Sequence, residues 1–217
     1  MRPPPEIREV GGARRNGPPA AALSCIVPST EGVSAVPYAL VTGPRGFRRS
    51  EAMRELAGRL AGAGVSLGGF LQRPRGPDGS AIELVRASTG EAVPLAAPAP
   101  AQAKAGEVAA CSFAFDPATF ARAARWLEED ASRARVLLLD GFGKLELGGG
   151  GHRPAVVRAL ALGRSVCVLS VRDEHLVYAL EDLALGEPVA ALDAREGAGA
   201  CLRFADEVAR AAAALAG

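Results

Sequence analysis

The stretch that decides the fold reads Arg135-Val-Leu-Leu-Leu-Asp140-Gly-Phe-Gly-Lys-Leu-Glu146. Its first half is an apolar run without polar alternation, which is typical of a strand covered on both faces. The run ends in an aspartate. Because ligands of parallel sheets bind beyond the carboxyl ends of the strands, the sequence predicts a buried strand here and a functional site just after Asp140.

Strand and helix patterns alternate on both sides of this stretch. Apolar runs predict further buried strands, at 38–42, 165–171 and 189–192. Helical spacing of apolar residues predicts helices at 50–63, 154–162, 174–185 and 199–215. Another helix is predicted to open at Asp116 and Pro117, with Asp116 as its N-cap. This alternation predicts an α/β fold, a mainly parallel sheet with helices on both faces.

The chain divides into a tail and one domain. Residues 1–33 are rich in Pro, Gly and Arg without a periodic pattern, which indicates a disordered tail before a domain at 34–217. Short apolar pieces separated by turn residues predict a β-rich insertion at 66–115. Within it, the Ala- and Pro-rich segment 98–106 is expected to be a mobile loop.

Composition excludes several classes of protein. The chain has 217 residues, 49% of them hydrophobic, which suffices for a core without disulfides or metals. A net charge of +1 argues against a strongly basic nucleic-acid binder. No apolar run reaches the 18 residues of a membrane span. The four cysteines form no C-x-x-C pair, so they predict no zinc site and favour a cytoplasmic location.

The segment Gly43-Pro-Arg-Gly-Phe-Arg-Arg-Ser50 lies between a predicted strand and a predicted helix. A phosphate-binding loop in that setting reads G-x-x-x-x-G-K-[ST], where N–H groups and the lysine bind phosphates and the hydroxyl binds Mg²⁺. Arg48 replaces the last glycine, and Arg49 replaces the lysine. The second change puts a planar guanidinium in place of a compact ammonium group. The alternative is an ordinary Gly-rich turn. Two arginines at a helix start oppose the helix dipole, which a bound anion would relieve.

Three motifs in order give the chain a resemblance to a known family. Val41-Thr-Gly43 precedes the loop, Leu67-Gly-Gly-Phe70 follows it, and Leu139-Asp140-Gly-Phe-Gly-Lys-Leu-Glu146-Leu147 comes third. From about residue 35 to 192 this resembles the small P-loop nucleoside-triphosphatases of the cancer-related NTPase type. Phe142-Gly-Lys-Leu-Glu146 also resembles a related bacterial group with a decayed phosphate loop, whose members are associated with molybdenum or nitrogenase genes.

The resemblance implies roles for individual residues. Asp140 would bind Mg²⁺ together with Ser50, and the residue after Asp140 should be the glutamate that polarises the attacking water. That position holds Gly141, so Glu146 is the remaining candidate for the base. The resemblance further implies a phosphate site formed by Gly43, Pro44, Arg45, Gly46, Phe47, Arg48, Arg49 and Ser50.

Three functions follow as hypotheses. The first is a Mg²⁺-dependent nucleoside-triphosphatase, and the second is a nucleotide-binding protein with weak or no hydrolysis. The third is a non-catalytic accessory protein that binds an oxyanion such as phosphate or molybdate, or that serves as a scaffold for a protein partner. Such a protein would act in molybdenum-cofactor or nitrogenase-related metabolism.

Two features beyond the loop bear on an anionic ligand. The glycine run 148–151 favours a mobile connector, with an anion-closing loop through His152 as the alternative. A polyanionic ligand is favoured if the cations near the carboxyl ends of the predicted strands, here called the rim, lie close together. These cations are Arg45, Arg48, Arg49, Lys144, Arg153 and Arg172.

Overall fold

The computed structural model describes residues 36–46, 48–76, 78–99, 108–110 and 113–215. The strands are β1 (Tyr38–Gly43), β2 (Leu67–Arg75), β3 (Ala81–Arg86), β4 (Ala92–Pro98), β5 (Val108–Ala110), β6 (Phe113–Phe115), β7 (Val136–Phe142), β8 (Val166–Arg172) and β9 (Ala190–Asp193). The helices are α1 (Arg48–Gly62), α2 (Pro117–Asp130), α3 (Lys144–Leu147), α4 (Arg153–Leu162), α5 (Leu176–Asp182) and α6 (Ala198–Ala214). The predicted tail and nearly all of the predicted loop 98–106 lie outside the described residues.

These strands form one sheet in the order β5-β6-β4-β3-β2-β7-β8-β1-β9. The strands from β2 to β9 in that order run parallel. Four of them, β7, β8, β1 and β9, are the apolar runs of the sequence, whereas β2 begins the predicted insertion. The strands β3, β4, β6 and β5 extend the sheet in antiparallel fashion. The predicted insertion therefore lies in the same sheet as the parallel strands.

Helices cover the parallel strands on both faces. On one face α1 and α6 bury Met53, Leu56 and Phe204 against β1, β7 and β8. On the other face α2, α4 and α5 bury residues such as Trp126 and Val156 against the same strands. Strands buried on both faces need continuous apolar runs. The predicted α/β fold is confirmed.

Strand β2 joins the two halves of the sheet. Its first residues, Leu67 to Phe70, pair in parallel with β7, and its remainder pairs in antiparallel with β3. Gly69 makes this close packing possible, since its φ is +84° and a Cβ there would lie 2.2 Å from the Leu138 carbonyl oxygen. Only glycine fits such a position.

Three elements were not predicted from the sequence. Strands β5 and β6 are three residues each, and α3 is four residues, too short for a periodic pattern to show. The predicted helix at 174–185 begins instead with a 3-10 turn at Asp173–His175 and continues as α5. In the described part of the chain, every helix is too short or too polar to span a bilayer.

Candidate functional site

Strand register brings the predicted site residues to one rim. Asp140 pairs with Ser170, which in turn pairs with Val41 two residues before the end of β1. The carboxyl ends of β1, β7 and β8 therefore meet, with Gly43 at the last position of β1. This is the edge at which ligands bind in sheets of this kind.

The two arginines of the loop take opposite positions. Arg48 is exposed at the first residue of α1, whereas Arg49 is only 8% exposed. Pro44, Arg45 and Gly46 form an exposed bend before the helix, and Phe47 lies outside the described residues. Ser50 is buried beside Arg49. The side chain of Arg48, which replaces the last glycine of the phosphate-loop pattern, is therefore not buried in the loop.

Arg49 folds back onto its own loop. Its Nη1 donates to the carbonyl oxygen of Gly43 at 3.1 Å and also to that of Pro44. Its Nε is buried without a hydrogen-bond partner. Burial lowers the pKa of Arg49, the charge of Arg172 adds to this, and Asp140 opposes it. A buried guanidinium with an unpaired donor is a favourable partner for an anion.

Asp140 is the most deeply buried acid of the site, at 1% exposure. Its Oδ2 accepts a hydrogen bond of 2.9 Å from the backbone N–H of Gln72, and its Oδ1 has no partner. Burial raises the pKa of Asp140. Four neighbouring groups lower this pKa: the backbone N–H of Gln72, the nearby hydroxyls of Ser50 and Ser170, and the charge of Arg49.

The oxygens around Asp140 suit a magnesium ion. The Asp140 Oδ1 and the Ser170 Oγ are both buried and unpartnered, and the Ser50 hydroxyl is close to the same carboxylate. Mg²⁺ prefers oxygen ligands, and protein sites hold it through one or two carboxylates plus phosphate oxygens and water. The described residues contain no group of three His, Cys, Asp or Glu side chains that would bind a metal alone, and a site of this kind does not require one.

A side chain at position 141 would meet Gln72 and would strain the backbone. Gly141 has a φ of +107°, and a Cβ there would lie 2.0 Å from Nε2 of Gln72. The Gln72 side chain thus occupies the space into which a glutamate at 141 would project. Sequence reasoning did not find Gln72, because it is 68 positions from Asp140 in the chain and belongs to no motif.

Both carboxylate oxygens of Glu146 are engaged by backbone amides. Oε2 accepts from Gly143 at 2.9 Å, and Oε1 accepts from His152 at 3.1 Å. The side chain is 4% exposed, and burial raises its pKa against the effect of these two amides. Glu146 therefore closes the loop between β7 and α4, and its role as a base stays a prediction.

Four of the six predicted rim cations line one cavity. They are Arg45, Arg49, Lys144 and Arg172. Arg48 points to solvent, and Arg153 is held by Asp182 at 2.7 Å instead. The charge that faces the cavity is positive near the loop, although the whole chain carries only +1.

This cavity has a volume of about 220 Å³ and two unlike ends. The loop, Asp140 and the cations form the polar end. His152 and apolar side chains from the antiparallel half of the sheet and from α2 line the other end. The apolar residues are Ile82, Leu95, Phe113, Phe115 and Phe120.

The phenylalanines were missed by sequence reasoning, and His152 was considered only as part of a loop that could close over an anion. The alternation Phe113-Ala-Phe115 was a usable signal, since residues two apart on a strand face the same side. His152 gave no such signal, because it follows a glycine run that favours a connector. In the structure it is 3% exposed.

The order of the strands and helices and the position of the loop define a P-loop NTPase-like α/β fold. Two solved structures are similar. The human cancer-related nucleoside triphosphatase has a TM-score of 0.56 and 17% identity, over 78% of this chain and 94% of that one. THEP1 from the hyperthermophile Aquifex aeolicus has a TM-score of 0.55 and 16% identity, over 72% and 87%.

A family described as a protein of unknown function, DUF2478, matches residues 38–194, and the chain belongs to that family. No curated protein sequence matches the chain. The matched segment contains the loop, Asp140 and the whole cavity lining.

Proposed function

We propose that this protein binds a nucleoside triphosphate with Mg²⁺ at the loop 43–50 and hydrolyses it slowly or not at all. The observation that carries the proposal is that Arg49 and Asp140 line the same cavity with unpartnered polar atoms. Both are buried at one end of the cavity, and each keeps one polar atom without a partner. Buried polar atoms are rarely left unpaired, so a ligand that satisfies both atoms explains their presence.

Phosphate binding would use groups that already surround the loop. The first-turn N–H groups of α1 and the Arg49 guanidinium are donors suited to phosphate oxygens. Mg²⁺ held by Ser50 and Asp140 would neutralise charge on the phosphates. Lys144 and Arg172 line the same cavity and add positive potential. One of the similar structures is named a nucleoside triphosphatase, which is consistent with such a ligand.

Slow hydrolysis follows because neither of the two positions expected to supply the base offers a free carboxylate. Gly141 carries no side chain, and Gln72 fills the space beside it. Glu146 has both oxygens bonded to backbone amides. General-base catalysis contributes typically about 10²- to 10⁴-fold to a rate, so an enzyme without it would turn over slowly. An amide such as Gln72 can orient water but takes no proton.

An oxyanion is the second candidate ligand. The cavity of about 220 Å³ is smaller than the roughly 300–1,000 Å³ of ordinary small-molecule pockets. Phosphate or molybdate would fit against Arg49 without a nucleoside. In that case the protein would be a non-catalytic accessory protein.

Calorimetric titration with ATP, GTP, phosphate and molybdate, with and without Mg²⁺, tests the proposal. Phosphate release is measured on the same samples. We expect saturable nucleotide binding that Mg²⁺ strengthens, with little release, and we expect Asp140→Asn to abolish the Mg²⁺ effect. Binding of the oxyanions without nucleotide binding would favour the second candidate. Rapid Mg²⁺-dependent release would contradict slow hydrolysis and would make Gln72 and Glu146 the next residues to vary.

A further inference from the structure

The apolar end of the cavity lies on the far side of Asp140 from the loop. Strand order places β2 between β7, which carries Asp140, and the antiparallel strands β3, β4 and β6. Gln72 of β2 and Gly141 of β7 both line the cavity between its two ends. The proposed function places the attacking water beside these two residues. Because the attacking and leaving oxygens lie roughly in line at the transferred phosphorus, the nucleoside points away from this side, and the apolar end is left without an occupant.

The lining of that end is apolar and uncharged. The described residues of β3, β4, β6 and α2 that line the cavity are Ile82, Leu95, Phe113, Phe115 and Phe120. Phe120 packs against Phe115 with ring centroids 5.9 Å apart. A protein cavity of about 150 Å³ lined by Leu, Ile and Phe binds benzene, and the whole cavity here has about 220 Å³. The apolar end therefore suits a small apolar molecule of about the size of one ring.

One polar side chain lies in this apolar wall. His152 packs between Phe70, at a centroid distance of 4.2 Å, and Phe120, at 4.8 Å. Both of its ring nitrogens are buried without a hydrogen-bond partner. The Glu146 carboxylate accepts a hydrogen bond from the backbone N–H of His152 at 3.1 Å and so holds the residue in place.

The charge state of His152 indicates which group would pair with it. Burial lowers the pKa of His152 to about 3, so the imidazole is neutral near pH 7 and offers one donor and one acceptor. A hydroxyl also donates and accepts, and it would satisfy either nitrogen. An unpaired imidazole among phenylalanines is unfavourable unless a ligand supplies such a partner.

We propose that the apolar end is a second binding site, which takes a neutral small molecule with an apolar body and a hydroxyl that pairs with His152. The body would pack on Phe115 and Phe120. Bound together with a nucleotide, this molecule would lie beside the terminal phosphate and displace the water there. Only that last placement rests on the proposed function, since the wall and the imidazole are independent of the loop.

Two probes of similar shape, benzyl alcohol and toluene, test the site on the full chain by NMR titration of the backbone amide signals. Both should bind saturably to the wild-type protein. In His152→Phe the hydroxyl loses its partner, so the affinity of benzyl alcohol relative to toluene should fall roughly five- to a hundredfold. His152→Leu repeats the comparison with a smaller side chain and should give the same result.

A matched control separates this site from binding elsewhere on the protein. Tyr178→Leu removes an aromatic side chain that is 62% exposed on α5 and does not line the cavity. This variant should leave both affinities unchanged. Thermal unfolding of each variant verifies that it is folded.

The same titration in saturating ATP and Mg²⁺ tests whether the two ends are separate. The affinity for benzyl alcohol should be unchanged, because the nucleotide occupies the other end. Competition between ATP and benzyl alcohol would overturn the second site, as would a lack of saturable benzyl alcohol binding or a relative affinity that stays the same in both His152 variants.

The inference and the proposed function fail in different ways. If benzyl alcohol does not bind but ATP binding depends on Arg49, the second site is overturned and the proposed function stands. If benzyl alcohol binds through His152 but ATP does not bind, the proposed function is overturned, and with it the placement of the second ligand beside a phosphate.

Discussion

At the scale of single residues, the site consists of groups that the fold buries without satisfying them. Arg49 keeps a free Nε, Asp140 a free Oδ1 and His152 two free ring nitrogens. Each of these residues borders the same cavity. Leaving a polar group buried and unpaired costs about 1–3 kcal/mol. The stability of the protein without ligand is therefore reduced at the positions that a ligand would satisfy.

Gly141 lies where an added methyl group would lower stability. Gly141→Ala should lower the free energy of unfolding by about 1–3 kcal/mol, because φ is +107° and the new Cβ meets Gln72. Chemical denaturation measures this cost. In a Gln72→Ala background the cost should shrink to the backbone part alone. A Gly141→Ala protein as stable as the wild type would contradict both the backbone strain at position 141 and its crowding by Gln72.

His152 makes stability depend on pH with a defined sign. Burial lowers its pKa from 6.5 to about 3, so between these values the unfolded chain takes up a proton that the folded chain does not. Between pH 7 and pH 5 the wild type should therefore lose about 2 kcal/mol more stability than His152→Phe.

Denaturation at both pH values compares these two proteins directly. Burial raises the pKa of Asp140 and of Glu146, which acts in the opposite direction, but both groups are present in both proteins. The difference therefore isolates His152. Equal losses would mean that the imidazole is hydrated or protonated in the folded state.

At the scale of elements, β2 couples the parallel strands to the antiparallel ones. The Gly68-Gly69 pair lets β2 pack closely on its surroundings, since a Cβ at Gly68 would lie 2.5 Å from the Cβ of Asp130. Asp130 in turn accepts from the Gly69 amide at 3.0 Å and pairs with Arg86 of β3. The end of α2 thus fixes β2 and β3 together, and with them one wall of the cavity.

Two glycines in different elements provide a matched pair for testing this packing. Gly69→Ala should destabilise the protein by about 3 kcal/mol or more, because the new Cβ would clash with the Leu138 backbone. Gly58→Ala in the interior of α1 meets open space and should stabilise by about 0.5–1 kcal/mol. Both values come from denaturant titration. A tolerated Gly69→Ala would disprove the close approach of β2 to β7.

Sequence patterns predicted most elements because their signals are local. The apolar run before Asp140 predicted β7. Asp116 and Pro117 predicted the start of α2, where the Asp116 side chain accepts a hydrogen bond from the Ala118 backbone amide. The engagement of Glu146 was not predictable. Its partners are amides of the loop that it closes, and only the folded chain shows that both of its oxygens are occupied.

At the scale of the whole molecule, the cavity lies between the two halves of the sheet. Its polar end follows from strand order and register, which is why the sequence could predict Asp140, Ser50 and part of the rim. Its apolar end depends on how β3, β4 and β6 fold against α2. Such contacts join distant parts of the chain, and single-sequence patterns carry no record of them. The positions of Arg48 and Arg49 likewise required the structure.

The adjacent arginines supply the most direct test of the central claim that the buried guanidinium binds phosphate. Calorimetry with ATP and Mg²⁺ compares Arg49→Ala with Arg48→Ala, which removes the same charge one position away and outside the cavity. Hydrogen bonds to charged groups contribute about 1.5–3 kcal/mol, so Arg49→Ala should weaken binding roughly ten- to a hundredfold. Arg48→Ala should change it less than about threefold. Equal effects of the two substitutions, or no effect of Arg49→Ala, would contradict the account.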